Sequence, residues 1–216
     1  MHKVKAKGIL SAANGMNIYR GCQHGCIYCD ARSKCYQMNH RFEDIEVKEN
    51  APELLENALK RKRRKCMIGT GAMSDPYIPL EKELKLTRRC LEIINRYGFG
   101  VTVQTKSASV MRDIDLFTKI NDKSKAVLQM TLTTADESLC RIIEPNVSAL
   151  EHMNQIAYLA PFIKALCRLF HQSSAHFPYF QKLIFPFNIC FFFRHFFCQS
   201  TITLNKIQSR FKSYNY

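Results

Sequence analysis

Residues 17–36 read NIYRGCQHGCIYCDARSKCY, and they contain three closely spaced cysteines in the pattern C-x3-C-x2-C. Cys22, Cys26 and Cys29 offer three thiolates at this spacing and no fourth. A cubane iron–sulfur cluster has four irons, so three protein ligands leave one iron open to a small molecule, whereas four-cysteine ligation suits plain electron transfer. The spacing therefore predicts a cluster with one open, reactive corner.

Zinc is the alternative for these cysteines, because zinc takes four nitrogen or sulfur ligands and His24 or Cys35 could supply the fourth. Zinc motifs usually combine two short Cys/His pairs, and no second pair follows Cys35. Disulfides are disfavoured because residues 1–15 lack the long apolar run of a signal peptide. We therefore expect reduced thiols in a cytoplasmic protein.

The same stretch resembles the signature of the radical S-adenosylmethionine (SAM) superfamily, which has an aromatic residue directly before the last cysteine, here Tyr28. The wider string NIYRGCxHGCxYCDAR resembles more specifically the spore photoproduct lyase-related branch. The resemblance covers roughly residues 7–146. It implies a [4Fe–4S] cluster on the three cysteines and reductive cleavage of bound SAM to a 5′-deoxyadenosyl radical. It also implies a reductant such as a ferredoxin or a flavodoxin.

Strand and helix patterns alternate up to about residue 132. Short apolar or alternating runs predict strands at 66–69, 101–105 and 126–132. Apolar residues at spacings of three and four predict helices after an Asn50 cap, from Leu80 to a Gly98 stop, and after a cap at Ser107 or Ser109. Repeated βα units predict a parallel α/β sheet or barrel. The resemblance implies a partial (β/α)6 barrel, apparently truncated after about four strands.

The composition changes near Pro145. All eight glycines lie at or before Gly100, and twelve of the fifteen phenylalanines lie after Val147. We expect residues 1–146 to be the N-terminal part of a radical SAM barrel and residues 147–216 to be a Phe-rich tail outside the family. An out-of-frame C-terminus is the favoured explanation, ahead of a partner-binding extension or a divergent barrel half, and it predicts an inactive chain.

A membrane-spanning helix is not expected in the most apolar part of this tail. Residues 183–198 are too short for a span of about 20 residues, and they carry Asn188, Arg194 and His195.

The string IGTGAMSDPYIPLE at residues 68–81 follows a predicted strand, where barrel enzymes place their ligands. The resemblance implies that Ser74 holds the amino-acid end of SAM and that Lys106, at the next strand end, pairs with its carboxylate. It further implies that Tyr28 lies near the adenine, and Thr131 or Thr133 could add a hydroxyl. The string also resembles the family element xDPYxPxE, whose residues equally suit a turn and a helix start.

The substrate is not predicted. Spore photoproduct lyases carry a hydrogen-donating cysteine directly before the serine equivalent to Ser74, and here that position is Met73. A thioether cannot donate a hydrogen atom as a thiol does. Lyase activity on thymine dimers in the known manner is therefore not expected.

Nucleic acid is a possible partner because the net charge is +14. Residues 1–146 hold 25 Lys and Arg against 17 Asp and Glu, and six of these cations form the run Lys60–Lys65. The run could contact phosphates, although cations also suit the C-terminal end of a helix dipole. A basic, zinc-dependent nucleic-acid-binding protein is therefore the alternative function.

Overall fold

The computed structural model describes residues 1–131, 133–134, 136–148, 150–151, 154, 183–184 and 190–191. Its strands are β1 (His2–Val4), β2 (Gly15–Met16), β3 (Tyr19–Arg20), β4 (Glu46–Lys48), β5 (Met67–Thr70), β6 (Gly100–Thr105), β7 (Ala126–Met130), β8 (Leu183–Ile184) and β9 (Cys190–Phe191). Its helices are α1 (Ala51–Arg61), α2 (Glu81–Leu84), α3 (Leu86–Tyr97), α4 (Ile114–Lys123) and α5 (Glu137–Ile143), with 3-10 turns at Asp30–Arg32, Lys34–Tyr36 and Ala108–Asp113.

The main sheet has four parallel strands in the order β2-β5-β6-β7, which is also their order along the chain. Helices follow β5 and β6 before the next strand, so these crossovers are the βα units of an α/β protein. The predicted parallel α/β architecture is confirmed. Whether a barrel is cut short stays a prediction, since most residues after 148 lie outside the described part.

A second, three-stranded sheet has the order β1-β4-β3, with β1 and β4 parallel and β3 antiparallel to β4. β3 leads directly into residues 21–36, the cysteine stretch that contains Cys22, Cys26 and Cys29. This sheet therefore fixes where the cysteine stretch begins. β8 and β9 form a separate antiparallel pair.

The core lies between the main sheet and the helices that cover it. Ile68 on β5, Val101 and Val103 on β6 and Leu128 on β7 are fully buried. Leu55 on α1 is likewise fully buried, as are residues of α3 and α4 in the same apolar cluster. The alternation predicted for 101–105 therefore becomes a central strand with its apolar residues in the core.

The helix after Asn50 is confirmed, but the predicted capping is wrong. The Asn50 side chain makes no capping bond to α1. Its Oδ1 instead accepts a hydrogen bond from the Ala6 backbone N–H at 2.9 Å, and its Nδ2 donates to the Ala6 carbonyl at 2.9 Å. Asn50 thus fastens the segment after β1 rather than the helix end.

The single helix predicted from Leu80 to Gly98 is two helices. Lys85 has a φ of 51°, in the left-handed region, and it separates α2 from α3. Buried Glu81 accepts hydrogen bonds from the backbone N–H groups of Thr87 (3.0 Å) and Arg88 (3.4 Å), which satisfy the first turn of α3. The predicted stop at Gly98, whose φ is 66°, is confirmed.

Ser107 supplies the cap predicted for the next helical segment. Its Oγ accepts from the Ser109 backbone N–H at 3.2 Å, although the segment begins as a 3-10 turn before it continues as α4. β7 ends at Met130, two residues before the predicted end of its strand.

Among the residues that the structure describes, no helix has the length and apolar character needed to cross a membrane. The apolar segment 183–198 lies outside them except for the four residues of β8 and β9. The proposed boundary after residue 146 likewise stays a prediction.

Candidate functional site

The cysteine stretch lies beyond the C-terminal end of β2 and is fixed at its start by the turn before β4. The Cys22 backbone N–H donates to the Phe42 carbonyl at 3.2 Å. Gly21 has a φ of 96°, and a Cβ at this position would lie 2.4 Å from the same carbonyl oxygen. Glycine is therefore required directly before the first cysteine, since a side chain would break both the conformation and the contact.

The middle of the cysteine stretch is held by the segment that ends α5. The Ile27 backbone N–H donates to the Ile143 carbonyl at 3.0 Å, and the Asn146 backbone N–H donates to the His24 carbonyl at 3.2 Å. The Asn146 side chain adds a hydrogen bond to the Gln23 carbonyl at 2.6 Å. Residues 143–146 therefore support the stretch from a point more than 100 residues away along the chain.

The three thiols of the predicted cluster site are free, and Cys26 is buried whereas Cys22 and Cys29 are partly exposed. Burial raises the pKa of Cys22 to about 12 and that of Cys26 to about 11. Both are therefore protonated at neutral pH without a metal, and metal binding would release their protons.

The spread of the three sulfur atoms bears on the choice between zinc and a cluster. These atoms do not all lie within 4.8 Å of one another. Thiolates on one tetrahedral zinc ion would be ~3.8 Å apart, given Zn–S bonds of ~2.3 Å. Cysteines on a four-iron cluster bind separate corners and stand further apart. The described geometry fits the cluster better.

Neither of the two extra zinc ligands considered from sequence completes a zinc site. His24 is 3% exposed, and its Nε2 lies 3.0 Å from Asp75 Oδ2, although neither ring nitrogen makes a hydrogen bond within the described residues, so its nearest charged neighbour is a carboxylate and not a cysteine. Cys35 is exposed in the 3-10 turn Lys34–Tyr36.

Asp75 joins the cysteine stretch to the end of β6. Its Oδ1 accepts from Thr105 Oγ1 at 2.7 Å and from the Tyr77 backbone N–H at 2.8 Å, and its Oδ2 accepts from the Lys106 backbone N–H at 2.7 Å. Burial would raise the pKa of Asp75, but the contact with His24 and these donors hold it below its usual value. A single buried carboxylate therefore sets the positions of His24 and Lys106.

Lys106 lies at the centre of a polar cluster. Its Nζ donates to Tyr28 Oη at 2.7 Å, to Thr133 Oγ1 at 3.3 Å and to Glu144 Oε1 at 2.7 Å. Tyr28 and Thr133 (2.6 Å) also donate to Glu144, whose side chain is only 2% exposed. The charge on Lys106 also acts to lower the pKa of Cys26, against the larger effect of burial. The polar cluster around Lys106 therefore adjoins the cysteine stretch.

Ser74 is buried, and its hydroxyl donates to the Gly21 carbonyl next to Cys22. Gly71, three residues earlier, has a φ of 100°, and a Cβ there would come within 1.8 Å of the Gln104 carbonyl oxygen. A cavity of about 190 Å³ opens beside Ser74 and is also lined by Met73 and Lys48. The residue that departs from the lyase pattern thus lines an opening next to the cysteine stretch.

The predicted site residues are only partly brought together. Tyr28 and Lys106 are in direct contact, and Ser74 contacts the start of the cysteine stretch. The Thr131 backbone N–H donates to the Thr105 carbonyl at 3.1 Å, which places Thr131 beside Lys106 in the sheet. Within the described residues its hydroxyl has no hydrogen bond, and the side chain that reaches Lys106 is that of Thr133. The ligand roles given to these residues stay predictions.

Sequence reasoning missed Glu144 and the partnership of His24 with Asp75. Glu144 is separated from Lys106 by 38 residues and lies in no motif that the sequence reveals. The xDPYxPxE element proves to be a set of buried polar anchors: Tyr77 Oη donates to Asp113 Oδ2 at 3.0 Å, and Glu81 pairs with Arg112 at 2.8 Å.

We expect Glu144→Gln to lower the free energy of unfolding at pH 7 by about 2–3 kcal/mol, because Lys106 loses its buried charged partner. Burial raises the pKa of Glu144, but Lys106 outweighs it and the pKa lies below its usual 4.5. Its contribution is therefore complete above pH 4.5 and is lost as pH falls through the folded-state pKa. Urea titrations at pH 7 and at low pH should show a smaller acid-induced loss in the variant than in the wild type. Exposed Glu83→Gln is the control, and equal losses in all three proteins would contradict this role.

Comparison of the sequence with known proteins identifies the family to which the chain is similar. The model of the radical SAM superfamily matches residues 16–167. An uncharacterized protein of Methanocaldococcus jannaschii is 37% identical over 151 residues, which cover 66% of this chain and 55% of the relative. An uncharacterized protein of Mycobacterium tuberculosis is 26% identical over 155 residues, which cover 67% of this chain and 44% of the relative. The chain thus spans about half the length of these curated relatives.

No solved structure matches the chain with significance. The family match nevertheless covers well over half of the sequence, and it includes the three cysteines, Ser74 and the Lys106–Glu144 pair. It also runs past residue 146. Together with four parallel strands that carry the cysteine stretch at their C-terminal edge, this match shows that the chain belongs to the radical SAM superfamily.

Proposed function

We propose that this chain binds a [4Fe–4S] cluster through Cys22, Cys26 and Cys29 and binds SAM at the iron that these thiolates leave free. The observation that carries the proposal is the position of the three free thiols, at the C-terminal edge of the parallel strands and beside the Lys106 cluster. When bound, the cluster and SAM supply reductive cleavage of SAM to a 5′-deoxyadenosyl radical, with the electron coming from a ferredoxin or flavodoxin.

The residues present fit this cofactor. Three cysteine sulfurs are available without a disulfide among them. Cys26 is 7% exposed, so one corner of the cluster would be shielded from solvent. Shielding matters because water and oxygen degrade the chemistry that such a cofactor supports.

The protein's own task in this proposal is to hold SAM in position beside the cluster. Lys106 has three N–H donors, and Tyr28, Thr133 and Glu144 engage all of them. A SAM carboxylate would take the place of one hydroxyl acceptor, while Glu144 keeps the ammonium charged and in place. Ser74 fixes the Gly21 carbonyl at the entrance to the cysteine stretch.

Membership in the spore photoproduct lyase-related branch is proposed from the string NIYRGCxHGCxYCDAR alone. Met73 lines the cavity beside Ser74, and its thioether accepts a long hydrogen bond from Asn17 Nδ2 at 3.7 Å. It supplies no hydrogen atom to a product radical. We therefore propose a reaction other than thymine-dimer repair in the known manner.

The alternative, a zinc-dependent nucleic-acid-binding protein, has weaker support. Half of the basic run is engaged within the protein: Lys60 pairs with Glu56 at 3.3 Å, and Lys62 donates to Asn14 at 2.6 Å. Lys65 lies 4.4 Å from the centre of the Phe99 ring. These contacts fit a helix end that packs on its own fold better than a surface reserved for phosphates.

The proposal is tested by SAM binding to the chain after anaerobic reconstitution with iron and sulfide. We expect Lys106→Ala to weaken SAM binding by about 2–4 kcal/mol, roughly 30- to 1000-fold, because the SAM carboxylate loses a largely buried cation. Anaerobic calorimetry measures the affinity, and iron analysis should give unchanged iron per chain.

Lys119→Ala removes a lysine of the same charge from the exposed side of α4 and serves as the control. Equal SAM affinity in the wild type and Lys106→Ala would remove Lys106 from the site. A reconstituted wild-type chain that takes up zinc but no iron would overturn the proposed function itself.

A further inference from the structure

His2, His40 and Glu46 come together on the sheet that carries β1 and β4. One nitrogen of each imidazole and one oxygen of Glu46 all lie within 4.8 Å of one another. The parallel register of β1 and β4 places His2 directly beside Glu46, and His40 arrives from the segment that precedes β4. Three side chains of metal-ligating type therefore converge from two strands and a loop.

Each imidazole has its other nitrogen occupied by an acceptor. His40 Nδ1 lies 3.0 Å from the Arg41 carbonyl oxygen, and His2 Nδ1 lies 3.0 Å from Asp44 Oδ2. A carbonyl or carboxylate oxygen accepts only, so each Nδ1 carries the hydrogen. In the neutral imidazoles both Nε2 atoms are then left with a free lone pair. Outer acceptors of this kind orient metal-binding histidines and fix their tautomer.

The facing groups lack a hydrogen bond between them. His40 Nε2 is buried and has no hydrogen-bond partner among the described residues, and it stands 3.7 Å from Glu46 Oε2. That separation is too long for a hydrogen bond, and a lone pair opposite a carboxylate is unfavourable without a cation between them. The His40 and Glu46 side chains are only 13% and 17% exposed, so water screens them poorly.

We propose that His2, His40 and Glu46 form a site for a divalent first-row transition ion, and that zinc is the ion it takes. Two imidazole nitrogens and one carboxylate oxygen are a zinc donor set that leaves a fourth position for water. Ligands on a tetrahedral zinc ion with bonds of ~2.05 Å stand ~3.3 Å apart, close to the separation of His40 from Glu46. Calcium and magnesium prefer ligand sets made of oxygen alone.

The ion would fasten the segment that supports the cysteine stretch. His40 precedes Phe42, whose carbonyl accepts the Cys22 N–H, and Met38 and Phe42 line the cavity beside Ser74. Asp44, which holds His2, also pairs with the Met1 amino group at 3.0 Å. Zinc at this site would thus join β1, β4 and the intervening segment into one unit. The inference does not rest on the proposed function.

The test is zinc titration of the full chain after anaerobic loading with iron and sulfide, followed by competition with a chromophoric chelator and X-ray absorption at the zinc edge. We expect one zinc per chain, with only nitrogen and oxygen ligands at ~2.0–2.2 Å. His40→Ala and Glu46→Gln should each weaken zinc binding by more than about tenfold, and Asp44→Asn by about tenfold as an orienting residue.

Glu53→Gln, an exposed carboxylate in the first turn of α1, is the control and should bind zinc like the wild type. Circular dichroism identifies any variant that fails to fold, and the zinc-edge spectrum of the wild type then decides alone. Sulfur ligands at ~2.3 Å would mean that zinc occupies the cysteines and would overturn the proposal. Unchanged zinc affinity in folded His40→Ala and Glu46→Gln would overturn it as well.

Discussion

Cys26→Ala is expected to leave the chain without a stable iron–sulfur cluster after anaerobic reconstitution. Removing one of three thiolates leaves two, which cannot hold a cubane against loss of iron. Cys26 is buried, whereas Cys22 and Cys29 are partly exposed. Cys22→Ala and Cys29→Ala should have the same effect. Iron and sulfide analysis, with the absorbance of the iron–sulfide chromophore, measures the loss.

Cys35→Ala is the matched control, because Cys35 lies near the three ligands in sequence yet is exposed and outside the proposed set. It should keep about four irons per chain. A zinc site that uses Cys35 as its fourth ligand predicts instead that Cys35→Ala also weakens metal binding. Retention of the cluster by Cys26→Ala, or its loss from Cys35→Ala, would contradict the assignment of the three ligands.

Asp75→Ala is expected to lower the free energy of unfolding by about 3–5 kcal/mol, because it removes one partner from a buried charged network. Three hydrogen-bond donors lose their acceptor at once: Thr105 Oγ1 and the backbone N–H groups of Tyr77 and Lys106. His24 also loses its only charged neighbour at 3.0 Å within the described residues. Urea unfolding at pH 7 measures the change.

The control for this substitution is Asp122→Ala, which removes an exposed carboxylate from α4 and should change stability by less than about 0.5 kcal/mol. Asp75→Asn should fall between the two, since an amide keeps one acceptor oxygen and loses the charge. A loss below about 1 kcal/mol for Asp75→Ala would show that water replaces the missing acceptors and that Asp75 does not organise this part of the fold.

Local patterns in the sequence predicted much of the fold. The strand with Val101 and Val103 and the stop at Gly98 depend on neighbours a few residues away, and the structure has both. The three cysteines lie within eight residues, so their spacing carries its own chemical meaning. The predicted helix is interrupted at Lys85, because Glu81 accepts hydrogen bonds from the N–H groups that start α3. Periodicity alone does not reveal this contact.

Contacts between distant residues account for what the sequence did not predict. Tyr28 meets Glu144 across 116 residues, and His2 meets Glu46 only through the register of two parallel strands. The sequence offers Thr131 and Thr133 as equal candidates because both lie at the end of the predicted strand. Only the path of the chain after β7 brings Thr133 to Lys106. Such pairs are set by the topology of the sheet, which a motif of a few residues does not reveal.

Electron paramagnetic resonance of the reduced, reconstituted chain, recorded with and without SAM, tests most directly whether one iron is open to this molecule. Three-cysteine ligation predicts a [4Fe–4S] signal that changes when SAM is added, because SAM binds the iron that carries no protein thiolate. The same change should weaken in Lys106→Ala at equal SAM concentration. A cluster signal that stays the same at saturating SAM, or a chain that forms no cluster at all, would contradict the account.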